Sequence, residues 1–246
     1  MGTLYIVSTP IGNLEDITVR SMRILQEVDS IACEDTRQTA KLLQLLKLPL
    51  KPFIRYDDQK EQSATAEIIE LLETGKSVAL VSDAGTPSIS DPGFKLVRYA
   101  ISQGIKVVPI PGPSAIIACL SVSGLPTDRF AFEGFLPPKP GSRKNRLISL
   151  AQEERTLIFY ESPHRIMKTL QDMLEVFGDR QVAVGKELTK IYEEVFRGKI
   201  SEVITQLVPE KVRGEFTIVI AGKTDATDSN GYQETTDGTT ERTETH

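Results

Sequence analysis

Residues 80–93 read LVSDAGTPSISDPG, an apolar run that empties abruptly into small residues. Residues 78–81 have the composition of a short buried strand. The glycines and prolines that follow permit unusual dihedrals and leave amides and carbonyls uncovered. Asp91 is expected to cap the next helix, with Pro92 in its first turn and Gly104 past its end. Strand-to-helix connections usually take only about 2 to 6 residues. A longer one carrying Asp83, Asp91 and the serines at 82, 88 and 90 points to a binding loop rather than a plain turn.

Outward from this stretch, strand and helix signals alternate through residues 1–124. Strands are predicted at 4–8, 30–33, 52–55, 78–81 and 106–110, with amphipathic segments such as 19–28 and 64–74 between them. That alternation predicts an α/β fold with a mostly parallel sheet. Ligands bind such sheets at the carboxyl ends of the strands. Three polar, glycine-bearing loops fall there, at 8–13, 82–90 and 111–114. Residues 125–222 read as a second, smaller mixed α/β lobe. Its predicted strands are 130–133, 157–160, 182–186, 193–198 and 216–221, with helices at 165–177 and 202–208 and antiparallel pairs among the strands. The expected organisation is a first domain over 1–124, a second over 125–222 and a tail over 223–246.

The chain has 246 residues and a formal net charge of −5. The segment from Lys223 onward holds −4 of that, so the body is nearly neutral. The tail has almost no apolar residues and is expected to be disordered. Cys33 and Cys119 sit in apolar settings and are read as reduced core residues, and His164 is the only histidine outside the tail, so no metal site is expected. No apolar run reaches the roughly 18 residues of a membrane span, and no basic leader precedes the first strand. The expectation is a soluble cytoplasmic protein.

The loop at 8–13 follows a strand, yet neither G-x-G-x-x-G nor G-x-x-x-x-G-K-[ST] occurs, which argues against a dinucleotide fingerprint and a P-loop. Ser114 opens a helix of small apolar residues and serves either as a plain N-cap or as part of an anion-holding terminus. Asp35 and Arg37, after the second strand, are solvated charges or part of the same cleft. Lys139, Arg143, Lys144 and Arg146 form a cationic run without acids, read as a mobile loop that is merely solvated or touches phosphates. Phe159, Tyr160, Glu161 and Arg165 stand at a strand-to-helix junction of the second lobe, and Lys186 and Glu187 end a later strand. These face the cleft, or else the aromatics pack in the core and the charges pair.

Taken together, STPIGNLEDIT from Ser8, EDTRQT from Glu34, VSDAGTPSISDPG from Val81, PIPGPSA, EGFLP from Glu133, FYESPHR and KELTK resemble one family closely. It is the ribosomal RNA small subunit methyltransferase I family of the tetrapyrrole methylase-like superfamily, and the resemblance covers residues 2–222. It implies two α/β lobes, S-adenosylmethionine held in the cleft between them, and a homodimer. The implied reaction methylates a cytidine ribose 2'-hydroxyl in 16S ribosomal RNA of the 30S subunit, at the decoding centre. By motif, the implied cofactor contacts are Ile11, Gly12, Asp83, Ala84, Gly85, Thr86, Ser114, Ala115, Phe159, Tyr160 and Phe216. Asp35, Arg37, Glu161, Arg165, Lys186 and Glu187 are the polar candidates for catalysis, with a carboxylate or Lys186 as base and Arg37 or Arg165 on the flanking phosphate. Lys139, Arg143, Lys144 and Arg146 are the candidates for RNA contact. Lys186 stands where the family often has Arg, and lysine lacks the bidentate fork. Rival readings keep the fold with a tetrapyrrole or other small acceptor, or make the chain a non-catalytic ribosome-assembly factor.

Overall fold

The computed structural model describes residues 1–208 and 212–223; the acidic tail beyond Lys223 lies outside the described residues. Five short strands, β1 (Thr3–Val7), β2 (Ser30–Cys33), β3 (Phe53–Arg55), β4 (Val78–Val81) and β5 (Lys106–Ile110), form one parallel sheet in the order β3-β2-β4-β1-β5. β2 and β4 are buried along their whole length, as strands covered by helices on both faces must be. β5 is the edge. Pro109 lies within it, where a missing N–H costs no ladder bond.

Helices α1 (Val19–Glu27), α2 (Thr36–Leu45), α3 (Glu61–Glu73) and α4 (Phe94–Ser102) connect these strands. One apolar cluster, with Ile68, Leu72 and Leu96 around Leu4 and Leu80, packs on one face of the sheet. A second, with Ile24, Leu25 and Leu43 around Ile31 and Val81, packs on the other. β1 sits between β4 and β5, so the chain reverses direction across the sheet at its carboxyl end. That reversal opens the crevice in which α/β sheets bind ligands.

The second sheet, of β6 (Phe130–Phe135), β7 (Thr156–Glu161), β8 (Gln181–Lys186), β9 (Glu194–Lys199) and β10 (Phe216–Ile220), runs β6-β7-β10-β8-β9. β6 and β7 are parallel, and the remaining pairs are antiparallel. Helices α6 (Pro140–Leu150), α7 (Ile166–Phe177) and α8 (Ile200–Gln206) bury one face. Helix α5 (Ala115–Ser121) covers the other, through Ile116, Cys119 and Leu120 against Ile158, Ala183 and Val219. It approaches so closely that a Cβ on Gly185 would lie 2.9 Å from Cys119 Sγ. The division at residue 124 proposed from the sequence therefore leaves α5 packed on the neighbouring sheet.

Two local expectations are corrected. Asp91 does not cap α4: that helix starts at Phe94, and its N-cap is Gly93 at φ 145°. A Cβ there would press on Leu80 Cδ2 at 2.9 Å, so the chain must make its last turn at a glycine. The cationic run from 139 is not a loop but the start of α6, because Pro140 takes the first helical position, where proline has no N–H to waste. Arg143, Leu147 and Leu150 then form the buried stripe of that helix.

Candidate active site

The loops after β1, β4 and β5 are laced together. Thr9 and Gly85 exchange backbone N–H···O bonds of 2.9 and 3.0 Å. Thr9 Oγ1 donates to the Ser82 carbonyl at 3.0 Å, the Ser8 and Thr86 hydroxyls lie 2.9 Å apart, and Thr86 Oγ1 donates to the Pro113 carbonyl at 3.4 Å. Each bond contributes about 0.5 to 1.5 kcal/mol net. The rim they form is preorganised, and Gly85 takes its place in it at φ +83°.

Between this rim and the second sheet lies a cavity of about 380 Å³. The first sheet's loops bring Ile11, Asp83, Ala84, Gly85, Thr86, Ser114 and Ala115 to it, and β7 and β10 bring Tyr160, Glu161 and Phe216. Ser114 makes no side-chain cap bond to α5, so its hydroxyl is not engaged in holding the helix. Ile89, Ser162, Pro163 and Glu215, which sequence reasoning did not single out, also line the cavity, as do Ser90 and Asp91 of the predicted binding loop. The 88–93 turn was visible as part of the long loop; Glu215 carried no local signal. Phe135 and Phe132 hold Tyr160 from one side, with ring centroids 5.6 and 4.9 Å away.

Other sequence-derived candidates lie elsewhere. Phe159 is fully buried in the core beneath α7, because neighbouring strand residues point to opposite faces and Tyr160 takes the cavity side. Gly12 borders a different, smaller cavity of about 190 Å³ beside α2, and the Lys190 side chain lies over it so tightly that a Cβ would collide. Asp35 is the N-cap of α2, accepting from the Arg37 amide at 2.9 Å and from its guanidinium at 2.7 Å, while Arg37 stays largely exposed. These bonds hold the Asp35 carboxyl well below the usual carboxylate range.

Lys186 is buried 4.0 Å from Glu194, and Glu187 accepts from Lys190 Nζ at 2.8 Å and from the Glu215 amide at 3.0 Å. Both therefore take the ion-pair alternative. Burial works to raise the Glu187 pKa, but Lys190 and the Glu215 amide outweigh it and leave it lowered.

The basic stretch is corrected most. Arg143 is buried and donates to Asp172 at 2.6 Å, Lys144 donates to Glu175 at 2.6 Å, and Arg146 pairs with Glu133. Of the four cations proposed to reach RNA, Lys139 stays exposed at the N-cap with no side-chain cap bond, and Arg146 stays exposed beside Glu133.

Glu161 has no exposed side-chain surface. It accepts from the Ser162 amide at 2.7 Å and from Thr169 Oγ1 at 2.6 Å, and lies 3.3 Å from Arg165. Arg165 in turn donates to the Leu136 carbonyl at 2.6 Å, which ties this corner of the cavity to the segment leading into α6.

The first-sheet side of the cleft is acidic. Burial raises the Asp91 carboxyl to about 6, with the Asp83 charge adding to the effect and the Ser82 hydroxyl opposing it. Asp83, on the exposed rim, is raised by loss of part of its water, against a hydrogen bond from the Asp35 amide. Glu34, just behind, is pushed up to about 7 by burial and by Asp91, Asp83, Asp58 and Asp57, and its Oε1 has no hydrogen-bond partner. Tyr160 is pushed up to about 12 by burial and the Asp91 charge.

A stability consequence follows for Glu34. Its folded pKa lies above the ordinary 4.5, so its contribution is fully present below about pH 4.5 and is lost as pH rises through about 7. Glu34→Gln should stabilise the protein at pH 8 by on the order of 1 to 2 kcal/mol, reduced by solvent screening of a partly exposed group. Melting curves check it: the variant gains at pH 8 and matches the parent near pH 4.5, whereas an equal gain at both pH values would refute the account.

Among the described residues, no group of three or more His, Cys, Asp or Glu is placed to hold a metal ion, and no helix is long and apolar enough to cross a membrane.

Comparison with known proteins agrees with this architecture. The family model described as Tetrapyrrole (Corrin/Porphyrin) Methylases matches residues 3–204. Proteins named ribosomal RNA small subunit methyltransferase I are close relatives in sequence. The one from Thermotoga maritima is 48% identical over 223 residues, covering 91% of this chain and all of its own length. That from Xylella fastidiosa is 51% identical over 227 residues, covering 91% and 83%. Among solved structures, uroporphyrin-III C-methyltransferase from Thermus thermophilus, complexed with S-adenosyl homocysteine, superposes with a TM-score of 0.61 at 21% identity, covering 89% of this chain and 97% of that one. Cobalt precorrin-4 methyltransferase gives 0.65 at 18%, covering 89% and 94%. These distant structures share the fold.

Proposed function

Because the chain belongs to the ribosomal RNA small subunit methyltransferase I family, within the tetrapyrrole methylases, we propose that it methylates a cytidine ribose 2'-hydroxyl of 16S ribosomal RNA, using S-adenosylmethionine. The observation that carries this reading is the cavity between the sheets. Its residues fit the cofactor: Ile11, Ala84, Ala115 and Tyr160 offer apolar walls for a purine and a thioether chain, Ser114 offers an unengaged hydroxyl, and Asp83 suits a ligand carrying a sulfonium and an ammonium. When bound, S-adenosylmethionine supplies a methyl already activated for displacement, so the protein need not create the electrophile.

The chain's own work is alignment. Holding a hydroxyl in line with a methyl is worth roughly 7 to 11 kcal/mol, against roughly 3 to 5 for a general base acting by about 10²- to 10⁴-fold. The laced rim and the Glu161–Thr169–Arg165 corner supply rigid walls for it. Phe135, exposed at the cavity edge, is available to stack on an extruded base, and the exposed Lys139 and Arg37 to touch phosphate. We place the work in the cytoplasm, on 30S subunits, in a homodimer. An apolar groove of about 450 Å³ beside β5, lined by Pro109, Ile117, Phe130 and Phe132, supports self-association.

The test is methyl transfer from labelled S-adenosylmethionine to unmodified 30S subunits, with naked 16S RNA alongside and nucleoside mass spectrometry of the product. The expected product is 2'-O-methylcytidine, made by a protein that sediments as a dimer. Saturable cofactor binding with transfer only to a tetrapyrrole would favour the small-acceptor reading, and binding with no transfer to any acceptor would favour an assembly factor.

A further inference from the structure

We infer that Asp91 is the proton acceptor for the attacking hydroxyl, an assignment that rests on the methyl-transfer reading above. Four observations converge on it. Asp91 lines the same cavity as Gly85, Ser114 and Tyr160. Each of the other acids there already has a partner: Glu161 accepts from the Ser162 amide and Thr169 and pairs with Arg165, Glu215 accepts from Lys190 at 3.0 Å, and Asp83, on the exposed rim, accepts from the Asp35 amide.

Among the described residues, the charged and titratable groups that bear on Asp91 are Asp83 from the β4 loop, Glu34 from the end of β2 and Tyr160 from β7, none of them a cation, with the Ser82 hydroxyl beside it. Finally, its turn is strained, with Ser88 at φ 71° and Ser90 at φ 66° before it and Gly93 at φ 145° after it. Non-glycine residues in the left-handed region persist where the surroundings over-determine them, and they cluster at functional sites. Here the strained turn holds Asp91 at the cavity instead of at the helix cap.

A carboxylate with a pKa near 6 is mostly ionised at neutral pH yet still basic enough to take a proton, the compromise a general base requires. In the step, the hydroxyl proton passes to an Asp91 carboxylate oxygen. The new O–C bond forms as the S–C bond of the sulfonium breaks, and a neutral thioether leaves. The proton then returns from Asp91 to water.

The experiment measures kcat/KM for methyl transfer to 30S subunits between about pH 5.5 and 8.5, together with S-adenosylhomocysteine binding by calorimetry, for the parent and Asp91→Asn. The parent rate should rise with pH through about 6 and then level. Asp91→Asn should lose about 10²- to 10⁴-fold in rate and lose the acid limb, while binding S-adenosylhomocysteine within about threefold of the parent. A variant rate within tenfold of the parent, an acid limb that survives the substitution, or a matching loss of cofactor binding would each overturn the assignment. If Asp91→Asn fails to fold, Asp91→Glu decides: an acid limb displaced from the parent's upholds the assignment, and an unmoved limb, or a flat parent profile across this range, overturns it. A parent that binds cofactor but methylates neither 30S subunits nor naked 16S RNA refutes the proposed function itself, and the assignment falls with it.

Discussion

Gly85→Val should weaken S-adenosylmethionine binding at least about 100-fold, a loss of about 2.7 kcal/mol, while the protein stays folded. Gly85 sits at φ +83°, and a non-glycine residue in such a region costs of order 1 to 3 kcal/mol, with a β-branched one the worst case. The backbone has little freedom to relax, because both of its hydrogen bonds to Thr9 would have to break. A Cβ here would lie 3.5 Å from Ile11 Cγ2 and 4.0 Å from the Pro113 carbonyl, so the valine methyls must go into the cavity or displace Ile11. The strain is smaller than the 5 to 15 kcal/mol that typically holds a domain together. Calorimetry with S-adenosylhomocysteine reads the outcome directly, and binding within threefold of the parent would mean the cavity is not the cofactor site.

The second large effect is on stability. Asp172→Ala strands the Arg143 guanidinium, which is 4% exposed and has its Nε 2.6 Å from Asp172. Removing one partner of a buried pair costs about 3 to 5 kcal/mol, because the remaining charge keeps its desolvation penalty without its attraction. For a chain of this size that is roughly 6 to 20 °C in melting temperature, at about 2 to 4 °C per kcal/mol. The double replacement Arg143→Met with Asp172→Leu should recover most of the loss, since apolar side chains of similar size remove both penalties together. A thermal double-mutant cycle measures the coupling. If Asp172→Ala melts within 2 °C of the parent, Arg143 is free to act elsewhere, and a role on RNA returns.

Both predictions turn on the same distinction. The loops at residues 8–13, 82–90 and 111–114 were legible from the chain alone, because short apolar runs and the glycines and prolines that end them are local features. The parallel sheet and the placing of those loops at one edge follow from that alternation. The basic stretch was not legible. Its partners Asp172, Glu175 and Glu133 lie on α7 and β6, and nothing within residues 139–146 announces them. Pro140 was available as a helix start, but four nearby cations outweighed it in a local reading.

Phe159 and Tyr160 show the limit most simply. The sequence alone placed an aromatic pair at the end of a strand, and strand geometry requires the two to face opposite ways. Which one meets the cavity was decided by the sheet's other contacts: α7 closes over Phe159, while Tyr160 turns toward Phe132 and Phe135. Gly12 met Lys190, and Asp91 left its expected cap for the cavity wall, for the same reason. Backbone preference and burial periodicity act between near neighbours, so the chain by itself determined its strands, its loops and the edge they share. Ion pairing, cavity lining and the burial of an individual acid depend on groups brought together only when the two sheets close, and these the tertiary structure decided.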